Sequence, residues 1–133
     1  MAAVPQISVV DDDESVRESL QGLFRSVGFA VRVFASGEEF MNSGQLGDTA
    51  CLILDVWMPG MSGPELQGKL AALGSKIPVI FITAHGEEEQ ARKQAVQGGA
   101  VDYLLKPLRE EAILNAVRAA LRPNEVDIGR NAR

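Results

Sequence analysis

The sequence predicts a doubly wound α/β fold, in which helices cover both faces of a five-stranded parallel sheet. Five short apolar runs of strand length recur along the chain, and segments with helical spacing separate them. Helical connections between buried strands favour a parallel sheet, because parallel neighbours need a long crossover between them. A chain of 133 residues is long enough for one ordinary domain.

The predicted strands are rich in the β-branched and aromatic side chains that strands favour. In chain order they cover residues 7–10, 30–34, 51–54, 78–83 and 101–105. The third run is apolar throughout, which predicts a strand buried on both faces of the sheet. It holds Cys51, the only cysteine, so an intrachain disulfide is excluded and a buried, inert thiol is predicted.

Helix signals are clear in the first two connecting segments. One apolar helical face precedes Gly28, a natural helix stop, and it consists of Val16, Leu20, Leu23, Phe24 and Val27. Ser36 is followed three residues later by Glu39, which is the pattern of a capping box. That pattern predicts a short helix over residues 37–43.

The later segments carry three more predicted helices. A leucine series closed by Gly74 marks the third helix, with Leu66, Leu70 and Leu73. The segment 87–97 has a thin apolar face, made by Ala91, Ala95 and Val96. The last helix repeats the apolar spacing and ends before Pro123. Residues 123–133 are polar and aperiodic, so we expect a domain over 1–122 and then a polar tail or the start of a linker.

Composition and charge exclude several classes of function. The formal net charge is −5 and the sequence pI is about 4.9, which disfavours direct nucleic-acid binding by this chain. The opening "MAAVPQISVV" lacks the basic region and the apolar core of a signal peptide. No apolar run approaches the roughly 20 residues of a membrane span. We therefore expect a cytoplasmic protein with no membrane contact.

Polar side chains follow the carboxyl ends of four predicted strands. Asp11, Asp12 and Asp13 follow the first strand, Asp55 follows the third, Thr83 ends the fourth, and Lys106 follows the fifth. Ligands bind outside the carboxyl ends of the strands in open parallel sheets. One edge of the sheet is therefore expected to gather several carboxylates, a hydroxyl and an ammonium in a shared site.

This set of groups points to phosphoryl chemistry beside a metal ion. Clustered carboxylates stay ionised together only when a cation lies among them, and a compact oxygen pocket suits Mg²⁺. The ammonium and hydroxyl fit an anion next to the metal, most naturally a phosphoryl group. Asp55 is then the predicted nucleophile, which accepts phosphoryl as an acyl phosphate. Each group also has an ordinary explanation, and one of the first three acids is expected to cap the helix that begins near Glu14.

The segments "VVDDDE", "LILDVWMPGMSG", "VIFITAHG" and "DYLLKP" resemble the signature segments of the response-regulator receiver domain of two-component signalling. The resemblance covers about residues 7–121. It implies a flavodoxin-like receiver fold with strand order 2-1-3-4-5, two helices on one face and three on the other. It also implies that Asp55 takes phosphoryl from a phosphohistidine of a sensor histidine kinase.

The resemblance assigns the metal ligands and the lysine. Asp11 and Asp12 match the acidic pair that holds Mg²⁺, together with Asp55 and the backbone carbonyl of Trp57. Lys106 matches the lysine that grips the phosphoryl oxygens, and a cis peptide before the following proline aims it into the site. The family usually has two acids followed by another polar residue, whereas a third acid stands here.

The resemblance also implies a switch. Thr83 matches the hydroxyl residue that grips phosphoryl oxygens, and Tyr103 matches the switch aromatic of the fifth strand. Phosphorylation is expected to shift the face formed by residues 87–121, which would control an output domain, a partner protein or a homodimer through the fourth helix, fifth strand and fifth helix. Trp57 and His85 are best placed to control the lifetime of the phosphoryl group, because they lie two residues beyond Asp55 and Thr83.

The fragment "ITAHG" is similar to the FixJ and NarL type, whose receivers usually precede a helix-turn-helix DNA-binding domain. We therefore expect a transcriptional output, although this chain leaves no room for such a domain. We expect no enzyme activity beyond phosphorylation of the chain from a phosphodonor and its autodephosphorylation.

Two other classes of protein remain open at this point. Asp11 and Asp13 also form the Asp-x-Asp pattern of haloacid-dehalogenase-like phosphatases, which need a further acidic pair beyond the lysine. Glu110 and Glu111 lie there, in a predicted helix start. The other class, a nucleotide-binding module, is disfavoured because no glycine-rich phosphate loop follows any strand.

Overall fold

A computed structural model describes residues 4–84 and 89–122, with side chains described for all of these except 89–91. Within this part of the chain, five strands form one sheet in the order β2-β1-β3-β4-β5, and all neighbouring pairs are parallel. The strands are β1 (Gln6–Val10), β2 (Ala30–Phe34), β3 (Cys51–Asp55), β4 (Val79–Thr83) and β5 (Asp102–Leu105). The predicted fold class and strand order are confirmed.

Helices follow the strands in alternation. They are α1 (Glu14–Ser26), α2 (Gly37–Met41), α3 (Gly63–Ala72), α4 (Glu89–Gln97) and α5 (Glu110–Ala120), and a short 3₁₀ turn (Leu46–Asp48) precedes β3. Two apolar clusters fill the space between the sheet and the helices. One cluster contains side chains of α1 and α5, and the other contains side chains of α2, α3 and α4. Among the described helices, two therefore cover one face of the sheet and three cover the other, as predicted.

The central strand β3 shows how the sheet separates the two clusters. Every residue of β3 is buried. Leu52 and Leu54 belong to one cluster, whereas Cys51 and Ile53 belong to the other. Successive side chains of a strand point to opposite faces, so a continuously apolar strand supplies both layers of the core.

The helix boundaries agree with the predicted stops at two glycines. Gly28 and Gly74 follow α1 and α3 with φ angles of 99° and 74°, a region that residues with a Cβ rarely adopt. Strand β3 is one residue longer than predicted, because Asp55 still pairs with Ile82 of β4. The predicted start of the fourth helix at residue 87 and the tail 123–133 lie outside the described residues. The domain boundary at residue 122 therefore stays a prediction.

The capping-box prediction for α2 is half correct. The Ser36 side chain accepts a hydrogen bond from the Glu39 amide at 3.0 Å. The Glu39 carboxylate, however, accepts from the amide of Ala35 rather than from that of Ser36. The helix also ends at Met41. The Glu39 carboxylate therefore holds the backbone at Ala35, the residue directly after β2.

A complete capping box, which the sequence analysis missed, opens α3. The Glu65 amide donates to Ser62 Oγ at 3.3 Å, and the Ser62 amide donates to Glu65 Oε1 at 2.8 Å. Reciprocal bonds of this kind satisfy two backbone donors at a helix start. They fix α3 directly after the loop that leaves β3. In the described part of the chain, no helix is long and apolar enough to cross a bilayer.

Candidate functional site

The carboxyl edge of the sheet brings the predicted site residues together. Asp11 directly follows β1, Asp55 ends β3, Thr83 ends β4 and Lys106 directly follows β5. The parallel register explains this, because equivalent strand ends then lie at one edge. Backbone hydrogen bonds secure two of these positions. The Asp11 amide donates to the Phe34 carbonyl at 3.1 Å, and the Lys106 amide donates to the Thr83 carbonyl at 2.8 Å.

Lys106 connects two buried carboxylates. Its Nζ lies 2.8 Å from Asp11 Oδ2 and 3.5 Å from Asp55 Oδ1. Asp11 is fully buried and Asp55 is 4% exposed, whereas Lys106 keeps partial contact with solvent. The peptide bond between Lys106 and Pro107 is cis, as the family resemblance implied. An ammonium between two buried acids offsets part of their mutual repulsion.

Burial and charge shift the acidity of the site. Burial, followed by the charge of Asp11, raises the pKa of Asp55 to about 7, although the Lys106 ammonium opposes the rise. Burial alone would lower the pKa of Lys106, but its hydrogen bond to Asp11 and the charges of Asp55 and Asp11 outweigh burial and raise it. Near neutral pH, the metal-free Asp55 carboxyl is therefore poised between its protonated and ionised forms.

The carboxylates fit a divalent cation. Asp11, Asp12 and Asp55 each offer an oxygen, and these atoms all lie within 4.8 Å of one another. Asp11 and Asp55 are buried, while Asp12 is exposed at the rim. Asp11 Oδ2 lies 2.8 Å from the Lys106 ammonium, which offsets part of its charge from that side. An oxygen-rich pocket with one solvent-facing ligand matches the preference of Mg²⁺ for a few carboxylates and several waters.

Asp13 has a different role from its two neighbours. Its side chain caps α1 by accepting from the Ser15 amide at 2.9 Å, and its own amide donates to Asp11 Oδ1 at 2.9 Å. The expectation that one acid of this run caps α1 is thus confirmed, and the cap is Asp13. An Asp-x-Asp pair that used Asp11 and Asp13 for phosphatase chemistry is not favoured, because the second carboxylate is engaged at the helix start.

Arg17 is a site neighbour that the sequence analysis missed. It lies one turn into α1, and its Nη1 donates to the backbone carbonyl of Asp11 at 2.7 Å. The contact ties the loop between β1 and α1 to the helix that follows it. A basic residue soon after an acidic run was the available signal, but the sequence alone did not show that it turns back toward the backbone.

The structure describes three of the four remaining predicted residues. Trp57 follows β3 and is 51% exposed. Thr83 is fully buried, and Tyr103 is buried with its ring centroid 6.4 Å from that of Phe81. His85 lies outside the described residues. The roles of Trp57 as a carbonyl ligand, and of Thr83 and Tyr103 as the switch, stay predictions.

Comparison with known proteins identifies the family. Residues 7–118 match the model of the response regulator receiver domain. The response regulator protein TmoT of Ectopseudomonas mendocina is 51% identical over 117 residues, which are 87% of this chain and 52% of TmoT. The transcriptional regulatory protein FixJ of Azorhizobium caulinodans is 44% identical over 115 residues, 86% of this chain and 54% of FixJ.

A solved structure agrees with these relatives. The response regulator StyR matches with a TM-score of 0.84 and 43% identity, over 98% of this chain and 66% of the StyR chain. The chain spans about half the length of the curated relatives TmoT and FixJ. The family model covers most of the chain, and the fold matches that of StyR. This chain therefore belongs to the receiver domains of response regulators in two-component signalling.

Proposed function

We propose that this chain is a phosphoacceptor switch, in which Asp55 takes a phosphoryl group from a sensor histidine kinase in the presence of Mg²⁺. One observation carries the proposal: the buried Asp55 carboxylate lies among Asp11, Asp12 and the Lys106 ammonium at the carboxyl edge of the sheet. A structural carboxylate would need neither further acids nor an ammonium beside it. A nucleophile that must receive a dianionic group needs both positive charge and a fixed position.

The transfer itself requires an ionised Asp55. Its carboxylate oxygen attacks phosphorus while the bond between phosphorus and the kinase histidine nitrogen breaks, and the electron pair returns to the imidazole. The position of Asp55 at the end of β3 holds the nucleophile still during this exchange. Lys106, 3.5 Å from Asp55 Oδ1, can then contact the oxygens of the arriving group.

Asp11, Asp12 and Asp55 are the side chains that would hold Mg²⁺, with the Trp57 carbonyl as a further ligand. When bound, the cation supplies charge neutralisation for the acids and for the phosphoryl oxygens. Asp11 contributes an oxygen that is already desolvated and supported by the Arg17 contact to its carbonyl. Asp12 contributes one that faces solvent, where hydrated metal can arrive.

The signal then passes to the α4–β5–α5 face. Thr83 would move toward the phosphoryl oxygens and Tyr103 would take the space that it leaves. Val96, Val101 and Leu105 on this face are between 44% and 54% exposed, which supports an interface with a second copy, an output domain or a partner protein. A transcriptional output is supported by the name of the relative FixJ. We also propose a cytoplasmic location, where a kinase would obtain its phosphate.

A phosphodonor assay tests this function. Purified chain is incubated with acetyl phosphate and Mg²⁺, and intact mass and peptide mapping should show one phosphoryl group on Asp55. Asp55→Asn should remove it, because an amide is a far weaker nucleophile. Asp48→Asn makes the same chemical change at an exposed acid before β3 and should leave phosphorylation intact. Equal labelling of Asp55→Asn and the wild type would refute the assignment, and sustained turnover of phosphate esters would favour the phosphatase class instead.

A further inference from the structure

The first residue of α3 packs directly against the backbone that carries the phosphoacceptor. Gly63 is buried, and its amide donates to the Val56 carbonyl at 3.0 Å. A Cβ built on Gly63 would lie closer than 3.0 Å to the Asp55 carbonyl oxygen, a separation that real Cβ atoms essentially never show. It would also lie 3.0 Å from Cε1 of Phe81 and 3.1 Å from Cα of Val56. Two of these neighbours are backbone atoms, so rotation of a side chain cannot relieve the contact.

The need for glycine at this position is steric. Gly63 lies in a helix and has no left-handed φ angle, so any residue could adopt its backbone conformation. Gly68, five residues further along α3, is a useful contrast. A Cβ on Gly68 would meet nothing within 4 Å. Space beside Asp55, and not backbone freedom, therefore distinguishes Gly63 from the second glycine of the same helix.

The chain at Asp55 and Val56 is held from two sides. The Val56 amide donates to the Ile82 carbonyl of β4 at 3.0 Å, and the Val56 carbonyl accepts from Gly63. The second bond also closes the loop that contains Trp57, because Val56 and Gly63 stand at its two ends. Any outward shift of α3 would therefore move both the Asp55 backbone and the loop behind it.

We propose that Gly63 is a positioning residue for the phosphoacceptor site. Its missing side chain lets the start of α3 seat against the Asp55 carbonyl, and this contact aims the Asp55 carboxylate at the position that it shares with Asp11 and Asp12. The inference rests on the proposed function, in which those oxygens hold Mg²⁺ and Asp55 accepts phosphoryl. A displacement of about 1 Å in a reacting group can cost on the order of a hundredfold in rate.

The test compares Gly63→Ala with Gly68→Ala. Both variants add one methyl group to α3, but only the first places it against the Asp55 backbone. Mg²⁺ affinity is measured by titrating the fluorescence of Trp57, the only tryptophan of the chain. Phosphorylation by acetyl phosphate is measured at saturating Mg²⁺. Far-UV circular dichroism and urea unfolding give the folded fraction, and trimethylamine oxide is added where needed to match it between variants.

Gly63→Ala should weaken Mg²⁺ binding and slow phosphorylation by about tenfold or more at a matched folded fraction. Gly68→Ala should change neither. Wild-type values in Gly63→Ala would overturn the inference while leaving the proposed function intact. A Gly63→Ala chain that stays unfolded even in the osmolyte would also overturn it, because Gly63 would then serve the fold as a whole. If the wild type itself neither binds Mg²⁺ nor accepts phosphoryl, the proposed function fails, and the inference fails with it.

Discussion

Lys106 pairs more closely with Asp11 than with Asp55. Its ammonium is 2.8 Å from Asp11 Oδ2 but 3.5 Å from Asp55 Oδ1. A cation held by Asp11, Asp12 and Asp55 would have to share the Asp11 carboxylate with this ammonium. We therefore expect Lys106 and Mg²⁺ to compete for Asp11, and we expect a bound metal to leave the ammonium available to Asp55.

Replacement of this lysine should therefore have opposite effects on stability and on metal affinity. Lys106→Met leaves the buried Asp11 carboxylate without its cation, which should lower the free energy of unfolding in chelator by roughly 3 kcal/mol. It should also tighten Mg²⁺ binding, because a competing positive charge is removed. Urea unfolding in EDTA and Mg²⁺ titration measure the two effects. Lys69→Met, at an exposed position of α3, is the control. Weaker Mg²⁺ binding in Lys106→Met would show that the lysine supports the metal site instead.

The acidity of Asp55 predicts how stability depends on pH in the absence of metal. Burial and the Asp11 charge raise its pKa to about 7 in the folded protein, above its ordinary value of about 3.9. The folded state thus holds this proton more tightly than the unfolded chain does. The contribution of Asp55 to stability is fully present below about pH 4 and is lost as the pH rises through about 7.

Unfolding in urea and EDTA across this pH range tests that prediction. The free energy of unfolding of the wild type should fall between about pH 4 and pH 7 relative to that of Asp55→Asn, whose amide does not titrate. Groups that titrate equally in both proteins change both free energies of unfolding by the same amount, so their contributions cancel in the difference. Saturating Mg²⁺ should flatten the difference, because the cation favours the ionised carboxylate. Parallel pH profiles for the two proteins in EDTA would contradict the raised pKa.

Adjacent acids allow metal binding to be separated from helix capping. Asp12 lies in the carboxylate cluster and is exposed, whereas Asp13 caps α1 through Ser15. Asp12→Ala should abolish the rise in melting temperature that Mg²⁺ produces, with little loss of metal-free stability, because it also removes repulsion among the acids.

The matched variant is Asp13→Ala. Loss of the cap should lower the free energy of unfolding by about 1 kcal/mol, yet the shift produced by Mg²⁺ should remain. Thermal unfolding of both variants with and without Mg²⁺ distinguishes the two roles. A Mg²⁺ shift that survives in Asp12→Ala but disappears in Asp13→Ala would reverse the assignment.

The fold and the location of the site were predictable because they depend on patterns along single segments. The apolar run of residues 51–54 predicts a buried strand, and Asp55 follows that run directly. This pattern alone predicts that Asp55 lies at the edge of the sheet. The division of roles within the acidic run was not predictable. Asp12 and Asp13 are chemically identical, and only the path of the chain into α1 decides which carboxylate reaches the Ser15 amide.

Contacts between distant segments escaped prediction for a related reason. The closeness of Lys106 to Asp11 depends on which acid its flexible side chain reaches. The seat of Gly63 against Asp55 depends on the crossing of a helix and a strand end. A local contact escaped as well: the Glu39 carboxylate accepts from the Ala35 amide and not from the Ser36 amide, because a side chain with several rotamers can reach either of two neighbouring amides. Patterns of residue type do not encode such choices.

The exposed indole of Trp57 predicts a slow loss of the signal. Hydrolysis of the acyl phosphate needs a water in line with the bond between Asp55 and phosphorus. Trp57 lies two residues beyond Asp55 and is 51% exposed. We therefore expect its ring to stand over the approach that this water would take. An indole offers one N–H donor and no acceptor, so it cannot act as a base toward that water. The ring should therefore exclude water more than it assists it.

Trp57→Asn should speed autodephosphorylation, because a smaller polar side chain opens the approach and can hydrogen-bond the water. His85→Ala is the comparison, because an imidazole could orient a water only if the indole left a path for it. Its effect on the rate should be the smaller of the two. The measurement is the loss of phosphoprotein over time after removal of the phosphodonor, with Mg²⁺ held constant. A slower loss in Trp57→Asn than in the wild type would mean that the indole helps to place the attacking water.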